Sequence, residues 1–168
     1  MTSDLSQFDE IVVADTEFIP LPGEKPDPIA VCARELRSGR VFTLFDGEMG
    51  DRPPYRIDDK AWFVAFAAAA ELEVHLALGW PLPANILDLR VEHINHVNRA
   101  TKRKDQVARK QQPRSLIEVL RHYGIPDGDV AVKAQMIQRI LQGRPFTAGE
   151  PFRYYATALV TRSPWNPY

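Results

Sequence analysis

An internal disulfide framework is excluded at the outset, because the chain has one cysteine, Cys32. A lone cysteine fits a reducing compartment, and a cytoplasmic protein is the expectation. Charge of one sign is also lacking. Twenty-one Lys and Arg face 22 Asp and Glu, for a formal net charge of -1. No global field therefore draws the chain to nucleic acid or to a membrane. Long apolar runs are missing too. The longest, around Ala61 to Ala70, falls well short of the ~20 residues that span a bilayer. Met1 to Glu10 is polar and acidic, unlike a signal peptide. No membrane partner is expected. The last absence is of acids: no Asp or Glu follows Glu150.

Proline, by contrast, is plentiful. Fourteen prolines cluster at Pro20 to Pro28, Pro53-Pro54, Pro81 to Pro83 and in the tail, where they mark loops. The 168 residues suffice for one domain with a proper core. Ile11-Val12-Val13-Ala14 predicts a first strand from Glu10 to Phe18. Ile29 to Leu36 alternates like a strand, Ser38-Gly39 signals a hairpin turn, and Val41 to Phe45 is the return strand. Trp62 to Phe66 reads as a short buried strand. Ala67 to Leu78 reads as a helix apolar nearly all round, and hence buried, with Gly79 as its C-cap. Asn85 to Leu89 is another buried strand and Val91 to Asn98 a helix. Ser115 to Tyr123 is a helix with Ser115 and Glu118 as capping box and Gly124 as stop. Asp129 caps a further helix from Val130 to Leu141, ended by Gly143. A hairpin-led sheet followed by alternating strand and helix implies an α/β fold, a mixed sheet with helices on both faces.

Asp15-Thr16-Glu17 carries the strongest chemical signal. Residues i and i+2 of a strand point to one face. Two carboxylates held there repel each other and are costly to desolvate. A divalent cation makes the arrangement favourable, and Mg²⁺ prefers carboxylate oxygens. The plain alternative is an acidic strand end in solvent. Glu71 falls in the first turn of the apolar helix, where a negative charge is favoured by about 0.3–1 kcal/mol whether or not it binds anything. His75, one turn on, reads as a packed or surface histidine. Asp88 ends a strand, where ligands collect in such sheets, or else caps the helix that follows.

These residues resemble the motifs of the DnaQ-like (DEDD) 3′-5′ exonucleases, which have a ribonuclease-H-like fold. Asp15-Thr16-Glu17 is similar to their first motif, and the segment Val64 to Leu72 to their second. Asp88 follows Glu71 by seventeen positions, the spacing between the second-motif ligand and a structural strand-end Asp in proofreading domains of family A DNA polymerases. Gly23-Glu24, the segment Ala33 to Gly39, the segment Gly79 to Ala84 and Leu87-Asp88-Leu89 resemble, more specifically, the exonuclease-type N-terminal domains of phage and prophage family A polymerases. The resemblance runs from about Asp9 to Thr147. It implies an exonuclease-type domain over 1–147 and two Mg²⁺ or Mn²⁺ ions clamping a scissile phosphate. Asp15 would bridge the metals with Glu17 beside it, and Glu71 would hold the second. Asp88 is the less favoured metal ligand. The implied partners are the 3′ end of single-stranded DNA and, in an intact protein, a polymerase domain.

The chain departs from that pattern twice. Alanines replace the His-Asn or Gln-Asn that usually precedes the second acid. The third motif, Tyr-x-x-x-Asp on a final helix, has no counterpart after Thr147, and 148–168 reads as an aberrant tail. A shifted reading frame permits Tyr-x-x-x-Asp with an apolar helical face over this stretch, so a frameshift near Ala148 to Arg153 is a hypothesis. The gene's nucleotides test it, and the lack of an intact motif in that frame would refute it. The implied consequence is a weak or inactive nuclease, with Arg144 to Tyr168 the least well-packed part of the chain.

Arg99 to Arg114 holds seven basic residues, among them Lys102, Arg103, Lys104, Arg109 and Lys110, against one acid, Asp105. It reads either as a solvated loop or as a loop tracking the phosphates of a single strand. Phe18 and Trp80 offer rings to a terminal base, or else pack. The same fold also admits an RNA-directed exonuclease and a non-catalytic nucleic-acid-binding or docking module.

Overall fold

The computed structural model describes residues 5–100, 113, 115–125, 135, 138–140 and 142–143. After a short 3₁₀ turn at Leu5–Gln7 come β1 (Glu10–Ile19), β2 (Asp27–Glu35), β3 (Val41–Phe45) and β4 (Ala61–Ala65). Then follow α1 (Ala69–Leu78), β5 (Ile86–Asp88), α2 (Leu89–Ala100) and α3 (Leu116–His122). The strands form one sheet in the order β3-β2-β1-β4-β5. β1, β2 and β3 pair antiparallel, whereas β4 joins β1 and β5 joins β4 in parallel. The expected α/β mixed sheet is therefore present, with its three antiparallel strands first and two parallel additions after.

Alternation along β1 sorts its two faces. Val12, Ala14 and Thr16 are buried, and their cross-strand partners Glu35, Ala33 and Val31 are buried with them. Phe63 and Ala65 extend this face, and Tyr55, Val74 of α1 and Trp80 pack onto it. The opposite face carries Ile11, Val13, Asp15 and Glu17. It is covered as well, since Ala30, Cys32 and Val64 on that side are 5% exposed or less.

The hairpin turns where Gly39 takes φ 73°, and Gly39 N–H donates to the Glu35 carbonyl at 2.9 Å. α1 differs from expectation in two ways. It starts at Ala69 rather than Ala67, because Ala67 has φ 74°, a left-handed conformation no helix accepts. It is also not buried all round. Only Glu71, Val74 and His75 are buried, and Leu76 is half exposed. The run of alanines gave an apolar reading without supplying side chains that demand burial. The other end of α1 closes on Gly79 in the left-handed region. Lys25, from the proline-rich loop after β1, donates to the Leu76 carbonyl at 3.1 Å and ties that loop to the helix. α3 has the expected Ser115–Glu118 capping box. The basic residues Lys102, Arg103, Lys104, Arg109 and Lys110, most of the helix expected after Asp129, and 148–168 lie outside the described residues. Among the described residues no helix is long and apolar enough to cross a membrane.

Candidate metal centre at the carboxyl end of the central strands

β1 and β4 run in parallel, so their carboxyl ends open on the same edge of the sheet. Asp15 and Glu17 stand near that end of β1, opposite Cys32 and Ala30 of β2. Both carboxylates act on the Cys32 thiol. Burial pushes it up to about 11, a hydrogen bond with Thr43 opposes this, and the charges of Asp15 and Glu17 add to it. The two acids therefore share one face, as an Asp-x-Glu pair in a strand must.

Glu71 is the third residue of α1 and is only 4% exposed. Burial raises its carboxyl to about 8; its own backbone amide pulls the other way, and the charges of Asp15, Asp88 and Glu17 raise it further. Its Oε2 is buried without a hydrogen-bond partner. A surface first-turn acid would show neither feature. Among the described residues, no three His, Cys, Asp or Glu side chains are drawn together tightly enough to hold a metal ion as they stand.

Asp88 has a different environment. Its Oδ1 accepts from the amides of Arg90 (2.9 Å) and Val91 (3.0 Å), capping α2. The same carboxylate accepts from Ala67 (3.3 Å) and Ala68 (2.9 Å), holding the turn that leads into α1. A carboxylate has about four lone-pair sites, and four backbone donors meet this one. Asp88 thus sets the relative placement of the two helix starts, including the one that presents Glu71. The left-handed Ala67 sits inside this clamp.

Beneath Glu71 lies a buried polar pair that sequence reasoning missed. Tyr55 and His75, 5% and 0% exposed, meet at 2.8 Å through the hydroxyl and Nε2. His75 Nδ1 lies 3.0 Å from the Pro81 carbonyl. That oxygen only accepts, so Nδ1 carries the proton, Nε2 is the acceptor, and the Tyr55 hydroxyl donates to it. Burial lowers the His75 pKa and keeps the ring neutral, although the Pro81 carbonyl opposes this. Burial, and after it the charge of Glu71, raise the Tyr55 hydroxyl. Tyr55 follows two prolines in a loop, with no periodicity to mark it as a core residue.

The aromatic candidates both pack. Trp80 is 2% exposed, donates to the Gly50 carbonyl at 2.6 Å, and meets the His75 ring edge-on at 5.3 Å. Phe18 is partly buried against the core.

No protein-family model and no curated protein matches the chain. The fold is similar to that of solved structures at low sequence identity. Escherichia coli RNase D, described as an exoribonuclease involved in structured RNA processing, superposes with a TM-score of 0.56 at 17% identity, over 94% of this chain and 37% of its own. The present chain thus spans little more than a third of RNase D. The EXO domain of Aedes aegypti Nibbler matches at a TM-score of 0.36 and 14% identity, over 62% of this chain and 51% of that one.

Proposed function

We propose that the chain is a 3′-5′ exonuclease-type domain in which Asp15, Glu17 and Glu71 hold Mg²⁺ or Mn²⁺. The observation that carries this reading is the buried, unpartnered Glu71 Oε2, on a carboxyl whose pKa the charges of Asp15 and Glu17 help to raise. A buried carboxyl with an unpartnered oxygen is unfavourable when charged, and oxygen-only donors suit a hard divalent cation. The donor types therefore suit such a cation, although the carboxylates are not gathered tightly enough to hold one as they stand. When bound, the metal supplies Lewis-acid stabilisation of charge developing on a phosphodiester. The chain's own part is to present Asp15 and Glu17 from a rigid strand and Glu71 from a helix start fixed by Asp88. Glu71 must lose its carboxyl proton as the cation arrives, so occupancy rises with pH.

The substrate we infer is the 3′ end of single-stranded DNA, because the motif order resembles the exonuclease-type domains of phage family A polymerases. A single-stranded RNA 3′ end is the second reading, favoured by the likeness to RNase D. No acid follows Glu150, so the Tyr-x-x-x-Asp motif is missing and turnover by these 168 residues is expected to be slow. Loss of one catalytic group commonly removes about 10²–10⁴ in rate. The test is a thermal melt with Mn²⁺ alongside 3′-end shortening of labelled DNA and RNA single strands. Mn²⁺ should raise the melting temperature of the wild type and not of Asp15→Asn. Trace shortening of DNA over RNA supports the first substrate, and the reverse supports the second. No Mn²⁺ stabilisation and no shortening would overturn the metal reading.

A further inference from the structure

Glu71 and His75 are one turn apart on α1, and both are buried on the side of the helix that meets the sheet. The His75 ring is held at both nitrogens by groups from outside the helix: Tyr55, in the loop before β4, and the Pro81 carbonyl after α1. A ring held at both nitrogens cannot turn, and it fixes the rotation of α1 about its own axis. Phe63 and Trp80 stand edge-on to the same ring at 5.5 and 5.3 Å, which closes the remaining freedom.

The hydrogen bonds also have a direction. The Pro81 carbonyl assigns the proton to Nδ1, so Nε2 accepts and the Tyr55 proton is committed to His75. Tyr55 lies close enough for the charge of Glu71 to act on it, yet Glu71 Oε2 receives no hydrogen bond. We propose that Tyr55 and His75 are positioning residues for the Glu71 carboxylate: the pair locks the helix turn that presents Glu71. This rests on the metal reading above, in which Glu71 is a ligand.

The test is Mn²⁺ titration by calorimetry on the full chain, with a melt of each variant. Tyr55→Phe removes only the hydroxyl, and His75→Leu removes the acceptor. Each is expected to weaken Mn²⁺ binding about tenfold, in the range seen when groups behind a metal ligand are lost. His75→Gln, whose carboxamide oxygen can again accept from Tyr55, should recover most of the affinity. A purely structural role would make affinity follow melting temperature across the series; the proposal requires His75→Gln to bind better than His75→Leu at matched stability. Wild-type affinity in Tyr55→Phe, with Asp15→Asn inactive in binding, overturns this inference alone. A wild type that takes no Mn²⁺ overturns it together with the metal reading.

Discussion

Two glutamates buried on this sheet, at opposite ends of β1, have opposite environments. Glu35 pairs with Val12 near the start of β1. It is 1% exposed and its oxygens are filled: Oε1 accepts from the amides of Ile11 (3.2 Å) and Arg37 (2.9 Å), and Oε2 from the Ser38 amide and hydroxyl. Burial would raise this carboxyl, but those donors outweigh it and hold it near 2. Glu71, at the other end, is 4% exposed, lacks a partner on Oε2 and is raised to about 8. Burial alone therefore does not set the charge of an acid in this fold. Donors aimed at Glu35 reverse the effect of burial, and the charges beside Glu71 add to it. The Glu35 end is a finished structural joint, and the Glu71 end is one that, on the proposed reading, a cation would complete.

The sharpest way to break the contrast is to remove the filled carboxylate. Glu35→Ala strands three backbone amides and should cost about 3 kcal/mol in chemical denaturation. The loss should shrink in acid, because a carboxylate with a lowered folded pKa contributes above its unfolded value, near 4.5, and stops contributing as pH falls through about 2. A cost unchanged between pH 7 and pH 2 would show that shape rather than charge holds the hairpin. Glu71 should behave in the reverse sense. Its folded pKa is raised, so its contribution is intact below about 4.5 and is lost as pH rises through about 8. Glu71→Gln should accordingly stabilise the metal-free protein by about 4 kcal/mol at pH 8 and by little at pH 4. Equal effects at the two pH values would dissolve the comparison. The smallest effect should come from the turn beside Glu71. Ala67→Gly relieves a left-handed alanine and should add about 1 kcal/mol, read as a rise in melting temperature. A fall would mean that the Ala67 methyl packs rather than strains.

Much of the sheet was legible because its signals are local. Alternation marked β1 and β2, Ser38-Gly39 marked the hairpin, and Ser115-x-x-Glu118 marked the start of α3. The burial of α1 was misread, since alanine is apolar by composition yet indifferent to exposure, and Ala67 gives no sign in sequence of its left-handed backbone. The acids were visible as candidates but not sorted. Nothing in the sequence shows that Asp88 meets four backbone amides while Glu71 keeps an oxygen with none. Tyr55 and His75 lie twenty positions apart and look like a loop residue and a helix residue.

By itself, then, the sequence determined which segments pair and that Asp15 and Glu17 share a strand face, because strand periodicity is a property of neighbouring residues. Only the tertiary structure decided the hydrogen-bonding state of each of these acids. That state depends on donors and charges brought together across the chain: amides of Ala67 and Ala68 for Asp88, Ser38 and Ile11 for Glu35, and for Glu71 the repulsion of Asp15 and Glu17 in a place where water does not reach.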